Sequence, residues 1–464
     1  MLRTILKREI LHNLYSLRFA LSMALILAVF IAGALSYVRN HEAALEKYRE
    51  TQAGFMGDIE KDATENATIL AVTRRTYDPR PRDNGFIADA QEKHLPNAFV
   101  FSAWNVFSFQ NRSGSANPFL TKFDELNWSF IAALIVSFVA FLFTFDAVSG
   151  EKESKTLALA LSNSVSRGVL FWGKYLSAVL SVLAIVIVGM IASLLVVVLS
   201  GIVTFSAALA GESLGFLAAA GLLAATMAAF GLLSSVVVRN SNVSLLLALS
   251  FWLLFTVVVP NSSLFIAKNL YPIERSEAVQ KKVDAAFDDL NKNAPPGSWT
   301  QRTDPFTPQH ELRANLQMKR LVAEKQIRDA YYQSMFRQFE KTRLLTAVSP
   351  VLSFENLTEA VVGGGYPRFR KVWDDLHVYQ GQFLAFFKNL DAQDLKSPHW
   401  YNPNENISTT RLPVSFETVP QFSERPLTLA DRVKPAAVYL AILVLMGGLV
   451  YLLSYFLFVR YDVR

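Results

Sequence analysis

The hydrophobic residues of this chain are concentrated in long runs that are separated by polar stretches. Six runs are each close to the roughly 20 residues that a helix needs to cross about 30 Å of hydrocarbon. These runs cover residues 19–38, 127–146, 175–203, 214–238, 243–267 and 435–459. The pattern therefore predicts an α-helical polytopic membrane protein with six transmembrane helices.

Two long polar regions, residues 39–126 and 268–434, predict two large, mainly helical insertions outside the membrane. The first begins with a helical pattern that extends the first span. Its later segment AFVFSAWNVFSFQN is either strand or a surface facing lipid or the rest of the protein. The second region contains a long helical pattern over about residues 310–346. This helix either pairs with its counterpart in a dimer or packs locally, and both alternatives remain open.

The first 18 residues predict an amphipathic helix that lies in the membrane interface, because apolar and basic positions interleave at helical spacing. A cleavable signal peptide is the alternative, since a basic start and an apolar run are followed by Ala32-Gly33-Ala34. The apolar run is long enough to span a bilayer. We therefore expect it to be retained as the first transmembrane helix.

Basic residues in the short loops predict the orientation of the chain. Lys or Arg occurs in residues 1–18, in residues 147–174, at Arg239 and in the tail 460–464, all on one side of an even-numbered topology. The short loop between the third and fourth spans has none. We expect both termini in the cytoplasm and the two polar regions outside. The residues expected to anchor span ends in the interface are Trp128, Trp172 and Lys174.

Composition excludes several classes of function. The chain has no cysteine, so disulfides, thiolate metal sites and cysteine nucleophiles are excluded. A large exported region without disulfides favours the inner membrane of a bacterium. The net charge of +6 is modest and does not indicate nucleic-acid binding. The six histidines lack the spacing of metal ligands. We therefore expect no metal, no cofactor and no enzyme activity in this chain.

The predicted spans lack a clear ionisable residue near their middle. Carriers that are coupled to protons or sodium usually need such residues at depth. An external energy source is therefore expected.

Residues 168–175, GVLFWGKY, nearly match the phosphate-binding pattern G-x-x-x-x-G-K-[ST]. Tyr175 stands where Ser or Thr would hold magnesium, and the bulky interior would keep backbone amides away from a phosphate. A membrane span follows directly. We therefore expect no nucleotide here and no ATPase activity in this chain.

Residues 147–174 form the most polar stretch within the apolar part of the chain. Their charges cannot be satisfied in lipid, so they predict a short helix at the membrane surface, available to a soluble partner. Gly150 can end the second span, and Glu151 and Glu153 suit the positive end of a helix dipole. Leu157 is expected to face the bilayer or the partner. A loop that only connects two spans is the alternative.

The pattern G-E-K-E-x-x-T-L, followed by L-S-N-x-V-S-R and by G-K at the next span, resembles type-2 ABC exporter permeases. The similarity is greatest to the group that includes permeases of copper-enzyme maturation and gliding motility. Ser164 stands where this group usually has proline. The matching residues are Gly150, Glu151, Lys152, Glu153, Thr156, Leu157, Leu161, Ser162, Asn163, Val165, Ser166, Arg167, Gly173 and Lys174.

The resemblance implies a membrane-spanning permease subunit whose N-terminal helix and first loop bind a separate, soluble ATPase. Two permease chains, identical or homologous, would assemble with two ATPases that carry ATP and magnesium. A first alternative is an ATPase-driven complex that moves an envelope partner without transporting a substrate. A second is a passive membrane-anchored scaffold. The residues expected to couple to the ATPase are Gly150, Glu151, Lys152, Glu153, Thr156, Leu157 and Arg167.

Overall fold

The computed structural model describes residues 2–89, 95–111, 126–162, 166–299, 307–405 and 409–461. Four kinds of sequence feature lie outside this part: His94, the motif residues at 163–165, residues 462–464 of the tail, and the side chains of Leu161 and Ser162. The described chain is mainly helical, which confirms the predicted fold class.

The apolar part of the chain supplies the helices of a bundle. They are α1 (Leu2–Leu14), α2 (Leu17–Glu65), α4 (Trp128–Ile131), a π-helical turn (Ala132–Val136), α5 (Ser137–Leu142), α6 (Ser149–Glu153), α7 (Thr156–Ser162), α8 (Arg167–Leu199), α9 (Ala207–Val237), α10 (Ser241–Leu253), a second π-helical turn (Leu254–Val258), α11 (Val259–Leu270) and α16 (Leu429–Arg460). The polar part supplies α3 (Ala67–Val72), β1 (Arg75–Tyr77), β2 (Ala98–Phe101), β3 (Val106–Gln110), α12 (Ser276–Lys292), α13 (Pro308–Thr346), α14 (Pro350–Val362), α15 (Gly365–Gln393) and a 3-10 turn (Phe416–Thr418).

Five of the described helices are long and apolar enough to cross a membrane: α2, α8, α9, the continuous helix Ser241–Leu270, and α16. The predicted second span, 127–146, is a shorter apolar helix over Trp128–Leu142. At 1.5 Å per residue it reaches roughly 22 Å, less than a bilayer core. The count of six spans therefore stays a prediction.

Polar caps set where the long helices begin. The side chains of Ser16, Ser166 and Ser206 each accept a hydrogen bond from a backbone N–H in the first turn of α2, α8 and α9. At α16, Thr428 and Asp431 cap each other's backbone N–H groups. These bonds satisfy amides that a helix start would otherwise leave unpaired, so they favour these starting points over neighbouring ones.

Helix α9 lies at the centre of the bundle and packs against α5, α8, α10, α14 and α16. Its small residues allow the close approach. A Cβ atom added to Gly215 would lie 2.6 Å from a methyl of Val361, and one added to Gly231 would overlap the Thr144 hydroxyl. Small residues at four-residue spacing, Gly215, Ala218, Gly221, Ala225 and Ala229, are typical of a helix packed inside a bundle, which is the position that α9 has.

The aromatic segment of the first polar region forms a small sheet, as one of the two predicted alternatives stated. Strands β1, β2 and β3 are antiparallel and lie in that order, with Thr76 opposite Val100 and Phe99 opposite Phe109. Phe99 and Phe101 of β2 are buried. The sheet therefore faces a core instead of lipid.

The two polar regions share one hydrophobic core, although the sequence separates them widely. The ring of Phe99 lies 5.7 Å from that of Phe369 in α15, and Phe109 stacks on Phe336 of α13 at 5.9 Å. We call this single unit the outer domain. The long helix α13 packs within it and against α11 and α12 of the same chain, which supports the local-packing alternative.

Helix α14 belongs to the bundle, although the sequence placed it in the second polar region. Val351, Phe354 and Leu357 lie in the same core as the long apolar helices, and α14 packs against α9 and α16. Its apolar run is too short to be recognised as a span. The boundary of 268–434 as one insertion is therefore corrected at this helix.

Candidate functional site

Four segments that are distant in sequence meet at one end of the bundle. We call this end the loop face; it is formed by α1, residues 146–162, residues 166–167, residues 238–241 and residues 459–461. The Arg167 guanidinium donates to the backbone oxygens of Val459 and Tyr461 at 2.5 and 2.9 Å. The basic segments that were predicted to share one side of the membrane therefore do lie together.

The polar segment of the loop face is folded onto the bundle. Helices α6 and α7 follow one another, and Lys155 between them has a φ of 60°, a left-handed turn. Leu157 is 2% exposed and lies in a cluster with Phe171, Val236 and Phe458. The expectation that Leu157 faces lipid or a partner is therefore wrong, because α8, α9 and α16 cover it. Gly150 lies inside α6 and does not break a helix.

Lys152 caps the C-terminal end of α9, the central helix of the bundle. Its ammonium donates to the backbone oxygens of Val236 and Val238 at 2.5 and 3.1 Å, and it lies 4.2 Å from the centre of the Tyr461 ring. These oxygens lack partners within α9 and carry the negative end of its dipole. Burial and the charge of Arg239 lower the pKa of Lys152 to about 8.

Glu153 pairs with the beginning of the next helix. Its carboxylate accepts a hydrogen bond from the Ser241 backbone N–H, the first residue of α10, at 3.1 Å. Hydrogen bonds from Ser241 lower the pKa of Glu153. Glu153 and Lys152 thus contact the two helix ends on either side of Arg239.

Lys174 forms a buried charge cluster. It is 7% exposed, and its ammonium lies 2.7 Å from Glu151 and 3.8 Å from Glu9 of α1. The prediction that Lys174 anchors a span in the interface is corrected, because two carboxylates enclose it within the protein. A buried ammonium requires such partners.

Helix α1 lies directly against the start of α8. A Cβ atom added to Gly173 would lie 2.6 Å from a methyl of Ile5, so the glycine allows the two helices to touch. Asn13 of α1 donates to the Ser181 hydroxyl at 3.3 Å. Both residues of the motif G-K at the start of α8 thus support the contact with α1: Gly173 allows the close approach, and Lys174 pairs with Glu9.

The two tryptophans predicted as interface anchors differ. Trp128 is 1% exposed, its indole N–H donates to the Ser193 hydroxyl at 2.8 Å, and Phe86 and Phe216 pack on its ring. The anchor prediction for Trp128 is corrected to a packing role. Trp172 is 43% exposed, and its role as an anchor stays a prediction.

The sequence missed several polar contacts of the loop face. The hydroxyl of Ser235 in α9 accepts from the backbone N–H groups of Val148 and Ser149, both at 2.9 Å. Arg18 of α2 pairs with Asp146 at 2.7 Å. The pair Ser234-Ser235 in an otherwise apolar stretch was the available signal for Ser235, but nothing in the sequence indicated its partners.

The near-match to a phosphate-binding loop lies in a helix. Gly173 and Lys174 are in the second turn of α8, where backbone amides donate to carbonyls of the preceding turn. The amides therefore do not converge on a phosphate position. The expectation that this chain binds no nucleotide stays a prediction.

A serine, a histidine and an aspartate also meet in the outer domain. Buried Asp391 accepts from the Ser397 hydroxyl at 2.5 Å and from the Thr410 N–H at 2.7 Å, and lies 2.8 Å from His399 Nδ1. The serine hydroxyl donates to the aspartate and not to the imidazole, so the three side chains are not arranged as a catalytic triad. The aspartate holds a loop in place. Among the described residues, no group of three or more candidate ligands could hold a metal ion.

The exposed part of the loop face contains both basic and apolar groups. We call it the docking surface; it consists of Arg3, Lys7 and Arg8 of α1 with Glu153, Lys155, Thr156 and Leu159. The two halves are adjacent because Lys174 contacts Glu9 on one side and Glu151 on the other. Thr156 bonds the Ser154 hydroxyl at 2.9 Å. The predicted coupling residues thus divide into exposed ones and ones that contact helix ends.

Comparison with known families supports the resemblance in the loop. A family model described as ABC-2 family transporter protein matches residues 3–463. A search of curated proteins finds no match. Because the family match spans nearly the whole chain, it covers the bundle, the loop face and the outer domain together. The chain belongs to the ABC-2 family of transporter proteins, as a membrane subunit that is not itself catalytic.

Proposed function

We propose that this chain is the permease subunit of an exporter, driven by a separate ATPase that binds the docking surface. One observation carries the proposal: residues 146–162 and 166–174 contact α1 and the ends of α9, α10 and α16. A partner that displaces this segment would move these four helices at once. Such a contact can convert movement of a soluble subunit into a rearrangement of the bundle.

Docking and transmission would use different residues. Lys155 and Leu159 are exposed and available to a partner. Lys152, Glu151 and Arg167 instead bond within the chain, so they would pass the displacement to the helices. A charge change in the first group should affect binding, and one in the second group should affect coupling and stability.

The assembly that supports this function contains two permease chains, identical or homologous, and two ATPases that carry ATP and magnesium. Basic residues at the loop face favour its placement in the cytoplasm of a bacterial inner membrane, with both termini on that side. The outer domain would then face the periplasm. The group that includes copper-enzyme maturation and gliding-motility permeases remains our proposal for the subfamily.

The test is affinity purification of the tagged chain from native membranes in mild detergent, with ATPase activity as the readout. We expect a soluble ATPase to co-purify in roughly equal amount. The double variant Lys155→Glu/Leu159→Asp should lose it while the melting temperature stays unchanged. The matched control is Lys281→Glu/Val378→Asp, which places the same two acidic residues at an exposed lysine and an exposed aliphatic residue of the outer domain.

Two results would contradict the proposal. If the docking variant retains as much ATPase as the control, the partner binds elsewhere. If the unaltered chain retains no ATPase activity under several mild conditions, the exporter has no energy source. The passive-scaffold alternative would then gain support.

A mechanical function without a transported substrate is the second candidate, and one feature favours it. The outer domain and the bundle are joined by a buried ion pair, Arg343 of α13 with Glu359 of α14 at 2.7 Å. Bundle movement would therefore reach the outer domain, where an envelope partner could bind. Substrate uptake into inverted vesicles that contain the complex separates the two, since only the exporter accumulates a substrate.

A further inference from the structure

A cavity of about 560 Å³ lies at the end of the bundle opposite the loop face. Its walls come from three parts of the chain: residues 80–84 of the first polar region, residues 422–427 and Arg432 of the second, and the connection between α8 and α9. The cavity therefore exists only where the outer domain meets the bundle. Its size suits a small ligand or a lipid head group.

The lining of the cavity is strongly basic. It contains Arg80, Arg82, Arg368, Lys371, Arg425 and Arg432 against three acidic residues. Each acid already lies beside a guanidinium: Asp83 at 3.3 Å, Glu424 at 2.6 Å and Glu212 at 2.8 Å. Arg82 and Lys371 also lie beside carboxylates behind the wall, Asp89 at 3.9 Å and Asp375 at 2.8 Å, so six cations face five anions and a net charge of +1 remains. Such a wall favours an anionic ligand.

Backbone groups add to this preference. Ser206, Ala208 and Leu209 line the cavity at the first turn of α9, a helix that runs to Val237. The start of a helix carries a partial positive charge, and here the Ser206 hydroxyl already accepts the Leu209 N–H at 3.2 Å. A guanidinium group can donate two parallel hydrogen bonds to two oxygens of one phosphate. A phosphate group is therefore an anion that suits this cavity.

The surroundings of the cavity are apolar. Four large side chains next to lining segments are mostly exposed: Leu199 at 82%, Phe205 at 62%, Leu214 at 67% and Leu429 at 79%. They lie at the ends of α8, α9 and α16, where the apolar helices meet the polar domain. A hydrated anion gains no free energy from contact with these apolar side chains, whereas hydrocarbon chains that pack on them remove apolar surface from water.

We propose that this cavity binds the phosphate-bearing head group of an amphiphile, whose chains lie along the exposed ends of α8, α9 and α16. The site goes beyond the proposed docking of an ATPase and does not depend on it. The lipid would occupy the contact between outer domain and bundle, and so would join the two.

The experiment measures binding to the purified full-length chain in dodecyl maltoside by isothermal titration calorimetry, without an ATPase. The probes are dihexanoyl phosphatidylglycerol, dihexanoyl phosphatidylcholine and glycerol 3-phosphate. The test variant is Arg80→Gln/Arg425→Gln, which removes two exposed cations of the rim. The matched control is Arg275→Gln/Arg337→Gln, two exposed arginines that do not line the cavity.

We expect phosphatidylglycerol to bind and phosphatidylcholine and glycerol 3-phosphate to bind more weakly. At about 1 kcal/mol per cation near a lipid surface, the test variant should weaken phosphatidylglycerol binding roughly ten- to thirty-fold. The control should bind as the unaltered chain does, and rising salt should weaken binding. Both double variants should keep the melting temperature, since the four arginines are exposed.

Three results would overturn the proposal. Equal binding of both lipids would show that the basic wall does not recognise the charge of the head group. Glycerol 3-phosphate binding as tightly as phosphatidylglycerol would assign the cavity to a free phosphate ester. Unchanged phosphatidylglycerol binding by Arg80→Gln/Arg425→Gln would place the lipid site elsewhere. A missing ATPase partner would not affect any of these outcomes.

Discussion

Lys174→Met removes the only cation of the buried cluster that joins α1, α6 and α8, as far as the described residues show. Its ammonium lies 2.7 Å from Glu151 and 3.8 Å from Glu9. With an effective dielectric constant of about 20, these distances correspond to attractions of about 6 and 4 kcal/mol. Desolvation of the three charges offsets much of this. Methionine has a similar length and helix propensity, so the charge is the main change.

The net loss depends on what the variant leaves behind. Glu151 Oε2 is already buried without a hydrogen-bond partner, and Lys174→Met would leave the whole carboxylate unpaired. Breaking a fully buried pair from one side costs about 3–5 kcal/mol. Glu9 and Glu151 are 20% and 26% exposed, so water will compensate in part. We therefore expect a loss of about 2–3 kcal/mol.

Thermal unfolding of the purified chain in detergent measures this loss. For a chain of this length we expect the melting temperature to fall by roughly 3 °C. Adding Glu151→Gln removes the unpaired charge, so the double variant should recover at least half of the loss. Lys281→Met, at an exposed lysine of α12, serves as the control and should change little.

Either of two results would contradict the expectation that the Lys174 cluster stabilises the chain. A melting temperature for Lys174→Met that equals that of the control would mean that the cluster adds no stability. A double variant less stable than Lys174→Met alone would mean that Glu151 is stabilised by something other than Lys174. In both cases the attachment of α1 to α8 would have to depend on apolar contacts.

Three further predictions concern helix contacts. Gly173→Val should displace α1 and reduce ATPase co-purification several-fold, because the valine side chain would occupy the place of the Ile5 methyl. Adding Ile5→Ala makes room for the valine and should restore the co-purification. The pKa of Lys152 is about 8 in the folded chain, against 10.5 for a free lysine. Between these two pH values the unfolded chain therefore binds more protons at Lys152 than the folded chain does, and folding becomes more favourable as the pH rises. The melting temperature of the unaltered chain minus that of Lys152→Met should therefore rise from pH 8 to 10.5. A constant or falling difference would contradict this. Gly231→Ala should lower stability by about 1–3 kcal/mol, because the methyl overlaps the Thr144 hydroxyl, and Thr144→Ala should restore most of it in the same unfolding assay.

The family and the position of the site were accessible from local sequence. The motif residues from Gly150 to Lys174 are consecutive or nearly so, and their polarity within an apolar region is visible without a structure. The interior position of α9 was also predictable, because small residues at four-residue spacing are a local pattern. The roles of the same motif residues were not predictable, since each depends on a distant partner.

Lys152 illustrates the difference. The sequence shows a charge in a loop and therefore predicts an exposed contact with a partner protein. The structure shows that this charge bonds carbonyls 84 and 86 residues away at the end of α9. Arg167 likewise bonds residues 292 and 294 positions away. Nothing in local charge or periodicity distinguishes such internal caps from solvated side chains.

Local hydrophobicity and charge are enough to predict that the chain crosses a membrane, where its long apolar helices lie and which segment is polar enough to contact a partner. These features depend on hydrophobic length and local charge, which neighbouring residues set. The folded structure was needed to show that two separate polar regions share one core, that α14 joins the bundle, that Trp128 and Lys174 are buried, and that a basic cavity forms between outer domain and bundle. Each of these features depends on contacts between residues far apart in the chain. The sequence of a single segment does not show which distant residues it will contact or how much free energy that contact contributes.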